Sequence, residues 1–87
     1  MRIYITSKFR RAYKCLPKRI KKKTKEREKI FRENPFNPCL EIHRLKGKYK
    51  DYWAFSVNSS YRIMFQFLDA TKNKVAFINI GTHDIYK

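Results

Sequence analysis

The sequence predicts an α+β fold: an N-terminal strand, a two-helix hairpin and an antiparallel sheet of three further strands, in the order β-α-α-β-β-β. Three observations carry that expectation. Apolar residues recur at helical spacing between residues 9 and 31, they alternate or run together from residue 52 to residue 80, and Pro35 and Pro38 separate the two regimes. At 87 residues there is room for one domain, expected over 1–87. A composition 43% hydrophobic and 16% aromatic supplies a core despite 33% charged residues, so disorder throughout is not expected.

Arg2 to Ile5 alternates polar with β-branched and aromatic residues and reads as the first strand. Thr6 or Ser7 then offers an N-cap. Phe9, Ala12, Tyr13 and Leu16 fall on one face of a first helix, with Lys8, Arg10, Arg11 and Lys14 largely on the other. That helix should stop at Leu16, because Pro17 disfavours helical geometry in the residue before it. Pro17 is itself suited to the first position of a second helix, expected to about Glu33. Its apolar stripe is narrow: Ile20, Ile30 and Phe31, completed by Thr24 and the aliphatic stem of Arg27.

Asn34-Pro35-Phe36-Asn37-Pro38 cannot continue a helix and forms the link to the sheet. Leu40, Ile42 and Leu45 precede Lys46-Gly47-Lys48. The segments Tyr52 to Asn58, Tyr61 to Leu68 and Lys74 to Ile80 then read as strands whose short links favour an antiparallel meander. In the first of them Trp53, Phe55 and Val57 should face the core. Ala54, Ser56 and Asn58 should face outward, small enough to floor a groove.

Charge narrows the partners. Net charge is +15, from 22 Lys and Arg against 7 Asp and Glu. Residues 1–34 hold 14 basic and 3 acidic residues, net +11, so the helices carry most of the field. Such an excess suits a polyanion, whether RNA, DNA or an acidic protein, although the run Lys18 to Lys29 also fits a solvated helix face. No apolar run is long enough to span a bilayer, and Met1 to Ile5 is too short for a signal-peptide core, so no membrane partner and a cytoplasmic location are expected. Cys15 and Cys39 form neither a CxxC pair nor part of a His/Cys cluster, and neither a disulfide framework nor a metal site is expected.

No glycine-rich phosphate loop, HExxH or GxSxG occurs, and no cofactor is expected. The groups left for chemistry are His43, Arg62, His83, Asp84 and Tyr86, set among lysines. That set suits RNA cleavage without a metal. The reaction needs a base for the ribose 2′-hydroxyl proton, a cation for the crowded phosphorane and an acid for the departing 5′-oxygen. Two histidines and an arginine could fill those roles. Each residue has a plainer reading as well: the histidines as surface or packing residues, Arg62 in a cross-strand ion pair, Tyr86 as cover for the core's edge. His83 stands out because it follows Gly81 at a strand exit.

At these residues the sequence resembles the RelE/ParE superfamily of bacterial toxins from toxin–antitoxin pairs. The resemblance spans nearly the whole chain. It is carried by Asn34-Pro35-Phe36 before Leu40 and His43, by Leu45-Lys46-Gly47, by Tyr61-Arg62-Ile63, and by Gly81-Thr82-His83-Asp84 with Tyr86. It implies a single RelE-like toxin domain with a curved sheet, and a ribosome-associated endoribonuclease (an mRNA interferase) that cuts messenger RNA and is held inactive by a cognate antitoxin. Oligomers would then form through the antitoxin.

Within the superfamily the pattern is most similar to the YafQ-type branch, whose two catalytic histidines match His43 and His83. Arg62 matches the RelE-type strand arginine that contacts phosphate. The implied catalytic set is His83, His43, Arg62 and Tyr86, with Arg44, Lys46, Lys48, Lys50 and Asp84 contacting RNA or phosphate. Two positions depart from the pattern. Ser56 and Ser60 stand where the YafQ branch carries a further histidine and an aspartate, and Ala54 and Ser56 stand nearest the two strand lysines of RelE. Two other functions remain open: a ParE-like toxin that binds DNA gyrase, and a non-catalytic basic domain that binds RNA or an acidic partner.

Overall fold

Thr6 joins the first two elements and ties both to the last strand, at Phe77 and Ile78. The computed structural model describes residues 1–86, so Lys87, the last residue of the expected domain, lies outside the described residues. Strand β1 (Arg2–Ile5) leads into helix α1 (Ser7–Lys14), and the Thr6 hydroxyl accepts from the Phe9 amide at 3.2 Å as the N-cap. The same hydroxyl donates to the Phe77 carbonyl at 2.8 Å. Helix α1 ends two residues before Leu16, where the Cys15 amide turns back to the Ala12 carbonyl at 3.2 Å, yet Leu16 still packs on the core.

Helix α2 (Lys18–Glu33) begins one residue later than expected. Pro17 is its N-cap, not its first helical residue, with an extended ψ of 150° and a carbonyl that accepts from Ile20 and Lys21. The stripe is as narrow as the sequence suggests: Ile20, Thr24 and Phe31 are buried, and the Thr24 hydroxyl is satisfied by the Ile20 carbonyl at 2.8 Å. Phe31, fully buried, stacks on Phe55 at 4.7 Å and meets Phe65 and Phe77 edge-on at 4.9 and 5.7 Å. These offset and edge contacts suit the ring quadrupoles and dock the helices on one face of the sheet.

The strands that follow are β2 (His43–Arg44), β3 (Trp53–Ser56), β4 (Arg62–Phe67) and β5 (Lys74–Gly81), and the sheet runs β1-β5-β4-β3-β2. The α+β class and the meander stand, with two corrections. The sheet is mixed, because β1 pairs parallel to β5, while the helical hairpin carries the chain from β1 at one edge to β2 at the other. It also has a fifth strand, β2, whose two residues pair antiparallel with Trp53 and Ala54. Two residues carry no periodicity, so only their neighbour defines them as a strand.

A β-bulge decides which residues of β5 reach the outer face. Met64 pairs with Asn79 but Phe65 pairs with Phe77, leaving Ile78 as the extra residue. Strict alternation would put Phe77 and Ile80 on opposite faces. The inserted residue lets both join the core, and it turns Asn79 and Gly81 outward beside Met64 and Arg62. The carbonyls flanking the bulge accept from the Thr6 hydroxyl, at 2.8 Å for Phe77 and 3.3 Å for Ile78.

Candidate functional site

The site is built on the sheet face away from the helices. Residues paired across neighbouring strands share a face, so the register defines two rows. One row runs His43, Ala54, Met64, Asn79; the other runs Ser56, Arg62, Gly81. Ala54, Met64 and Ser56 lie buried on this face, where the sequence expects Ala54, Ser56 and Asn58 to face outward; Met64 and Asn79 are members of the rows that the sequence did not single out. Met64 could have been found by stepping two residues from Arg62. Asn79 could not, because the bulge shifts its phase.

After Gly81 the chain makes a 3-10 turn, His83–Tyr86, that folds back over the strand it has left. A Cβ on Gly81 would lie 2.7 Å from Ile85 Cγ2, so a side chain here would force Ile85 or its turn to shift. The turn sets the rings of His83 and Tyr86 6.0 Å apart in an edge-on arrangement. Tyr86 is half-buried with its hydroxyl oxygen fully covered, and that hydroxyl has no hydrogen-bond partner among the described residues. Burial raises its pKa above the ordinary tyrosine value, opposed by the nearby positive charge of Arg62. Tyr86 thus packs beside His83, and Arg62 pairs across the strands with Gly81, just before the turn.

Arg62 is half-buried, and its Nη1 donates to the Asn58 carbonyl at 2.7 Å, the Tyr61 carbonyl at 3.2 Å and Ser56 Oγ at 3.3 Å. A cross-strand ion pair, its plainer reading, does not occur among the described residues.

His43 occupies the opposite rim, three strand spacings from β5, or about 14 Å between backbones. It is exposed, and its Nδ1 lies 3.2 Å from the Glu41 carbonyl. A carbonyl only accepts, so Nδ1 is the donor in this contact, and Nε2 is left without a partner in the same bond. Glu41 itself has a left-handed backbone, φ 51°, which turns the chain into β2.

The basic residues of the β2–β3 link flank this rim. Gly47 has φ +67°, a conformation that favours glycine, and it opens the turn Gly47–Tyr49. Lys46, Lys48 and Lys50 are exposed; Arg44 Nε donates to the Lys50 carbonyl at 3.1 Å, and the Lys48 ammonium lies 5.1 Å over the Tyr49 ring. Asp84 sits beside His83, with Oδ2 3.5 Å from the Thr82 hydroxyl. The two cysteines are free and exposed. Among the described residues no three His, Cys, Asp or Glu gather as metal ligands, and no helix is long and apolar enough to cross a membrane. An apolar cavity of about 500 Å³ lies between α1, α2 and β1, lined by Ile5, Phe9 and Tyr13, and holds neither histidine.

A family model for HigB-like toxins, described as the RelE-like toxin of type II toxin–antitoxin system HigB, matches residues 14–80. The chain belongs to this family of RelE-like toxins. The fold of this HigB-like toxin is shared by solved structures of low sequence identity. YafQ from E. coli strain BL21(DE3) is 22% identical with a TM-score of 0.78, over 99% of this chain and 98% of that one. A YoeB/ParE toxin from Agrobacterium tumefaciens is 17% identical, TM-score 0.78, over 95% and 99%. The E. coli DinJ–YafQ toxin–antitoxin complex contains a chain 22% identical, TM-score 0.75, over 95% and 92%. No curated protein sequence matches the HigB-like toxin significantly.

Proposed function

We propose that this toxin is a single-domain, cytoplasmic endoribonuclease that cleaves messenger RNA on the ribosome without a metal, and that an acidic antitoxin blocks it. The observation that carries the reading is Arg62: a half-buried guanidinium held only by neutral acceptors, on the sheet face that carries His43 at its β2 edge and lies beside the turn bearing His83. A cation so placed is suited to the charge that develops on a pentacoordinate phosphorus.

His43 has the arrangement of a general base, with Nδ1 held by the Glu41 carbonyl and Nε2 left to face substrate. It takes the proton of the ribose 2′-hydroxyl as the 2′-oxygen bonds to phosphorus. The bond from phosphorus to the 5′-oxygen breaks, and His83 gives that oxygen a proton. Arg62 holds the non-bridging oxygens throughout, and Tyr86 positions the adjoining base. Arg44, Lys46, Lys48 and Lys50 attract the flanking phosphates, and Asp84 steadies the His83 turn. The net charge of +15 supports capture by an acidic antitoxin that folds on binding, and through it any oligomer.

Messenger cleavage on ribosomes, measured for His43→Ala, His83→Ala and Arg62→Ala, tests the reading. Each substitution is expected to lower the rate by at least about 10²-fold. Wild-type cleavage by Arg62→Ala, or by both histidine variants, would refute it, and growth arrest with DNA damage but intact transcripts would point to gyrase instead.

A further inference from the structure

Three neutral acceptors crowd one nitrogen of Arg62, while Nε and Nη2 have no partner among the described residues. A guanidinium offers five N–H donors in a rigid fork, and Nε with Nη2 forms the edge that matches two phosphate oxygens. A carboxylate partner would cancel much of the charge; neutral acceptors leave it intact.

The acceptors are themselves braced. Ser56, 6% exposed, donates its hydroxyl to the Asn58 carbonyl at 2.8 Å, which leaves an oxygen lone pair for Arg62. Asn58 Oδ1 accepts from the Ser60 and Tyr61 amides at 2.9 and 2.8 Å and closes the β3–β4 turn. The Tyr61 carbonyl also accepts from the Val57 amide at 2.9 Å. Every group that grips Arg62 is therefore fixed by a second bond.

Building on the phosphodiester reading above, we propose that Ser56 and Asn58 are positioning residues. The β3–β4 turn clamps one nitrogen of Arg62 with uncharged acceptors and presents Nε and Nη2 to the two non-bridging oxygens of the scissile phosphate. Ser56, where related toxins are expected to carry a titratable residue, serves here to aim a cation and moves no proton.

Ser56→Ala is expected to lower kcat for ribosome-bound messenger roughly five-fold with KM unchanged, the loss of one hydrogen bond in the transition state. Ser56→Thr, which keeps the hydroxyl, should recover most of that loss. Ser56→Asp should do worse than alanine and approach the loss of about 10²-fold expected for Arg62→Ala, because it pairs the cation internally. Nitrogen-15 relaxation of the Arg62 Nε–H group needs no substrate, and Ser56→Ala should lower its order parameter. An unchanged order parameter, or wild-type kcat in both Ser56→Ala and Ser56→Asp while Arg62→Ala is inactive, overturns the clamp and leaves the nuclease reading standing. Wild-type cleavage by Arg62→Ala brings down the nuclease reading itself.

Discussion

Gly81→Ala separates the placement of the His83–Tyr86 turn from the stability of the sheet beneath it. The new methyl carbon would meet Ile85 Cγ2 at 2.7 Å, whereas carbon atoms rest about 3.5–4.0 Å apart. Something must therefore move by about 1 Å. Cγ2 is attached directly to the branched Cβ, so only a change of χ1 or a shift of the 3-10 turn His83–Tyr86 can relieve the contact; χ1 is restricted in isoleucine, and the expected response is that the turn lifts. Overpacking of this kind costs about 1–3 kcal/mol in stability, which urea unfolding would measure. A displacement of about 1 Å at a reacting group can cost about 10²-fold in rate, so messenger cleavage should fall far more than stability. Removing the obstacle in Gly81→Ala/Ile85→Ala should restore part of the activity. If Gly81→Ala leaves the NMR shifts of the His83 and Tyr86 rings where they are in the wild type, the steric argument is wrong.

Three further outcomes follow from the packing and the titrating groups. Phe31→Ala removes the ring shared by Phe55, Phe65 and Phe77 and should cost about 3–5 kcal/mol in chemical denaturation. Tyr86→Phe deletes a covered hydroxyl that has no partner among the described residues, so it should leave stability equal or raise it by up to about 1 kcal/mol. The raised pKa of Tyr86 means that its stabilising effect is present below its ordinary value of about 10 and is lost as pH rises beyond it. The phenylalanine variant should lack that alkaline loss of melting temperature. Asp69 behaves oppositely: the Thr71 hydroxyl, then the Asn73 and Lys74 amides, hold its pKa down, so its contribution is present above the usual carboxylate value and lost as pH falls. Asp69→Asn should flatten the acid side of the melting curve.

Much of this toxin can be read from local sequence. Helical spacing places Phe9, Ile20 and Phe31 on inward faces, period-two alternation separates Phe55 from Ser56, and Pro35 with Pro38 marks where one regime gives way to the other. These signals are legible because each depends on residues within a turn or two of one another. The basic surface and the candidates His43, Arg62, His83 and Tyr86 follow from residue chemistry and from motifs of a few adjacent positions. What only the tertiary structure decides is non-local. The parallel pairing of β1 with β5 joins residues more than 70 positions apart, β2 is a strand only because Trp53 and Ala54 lie beside it, and the bulge at Ile78 reverses the facing of every residue after it. The surroundings of Arg62 belong to the same class: the strand pattern requires its charge to meet solvent or a ligand, but the β3–β4 turn determines that its held nitrogen meets carbonyls and a hydroxyl. Periodicity sets which way a side chain points along its own element. Register and turn geometry set what it meets there, and that depends on chain segments brought together only when the sheet closes.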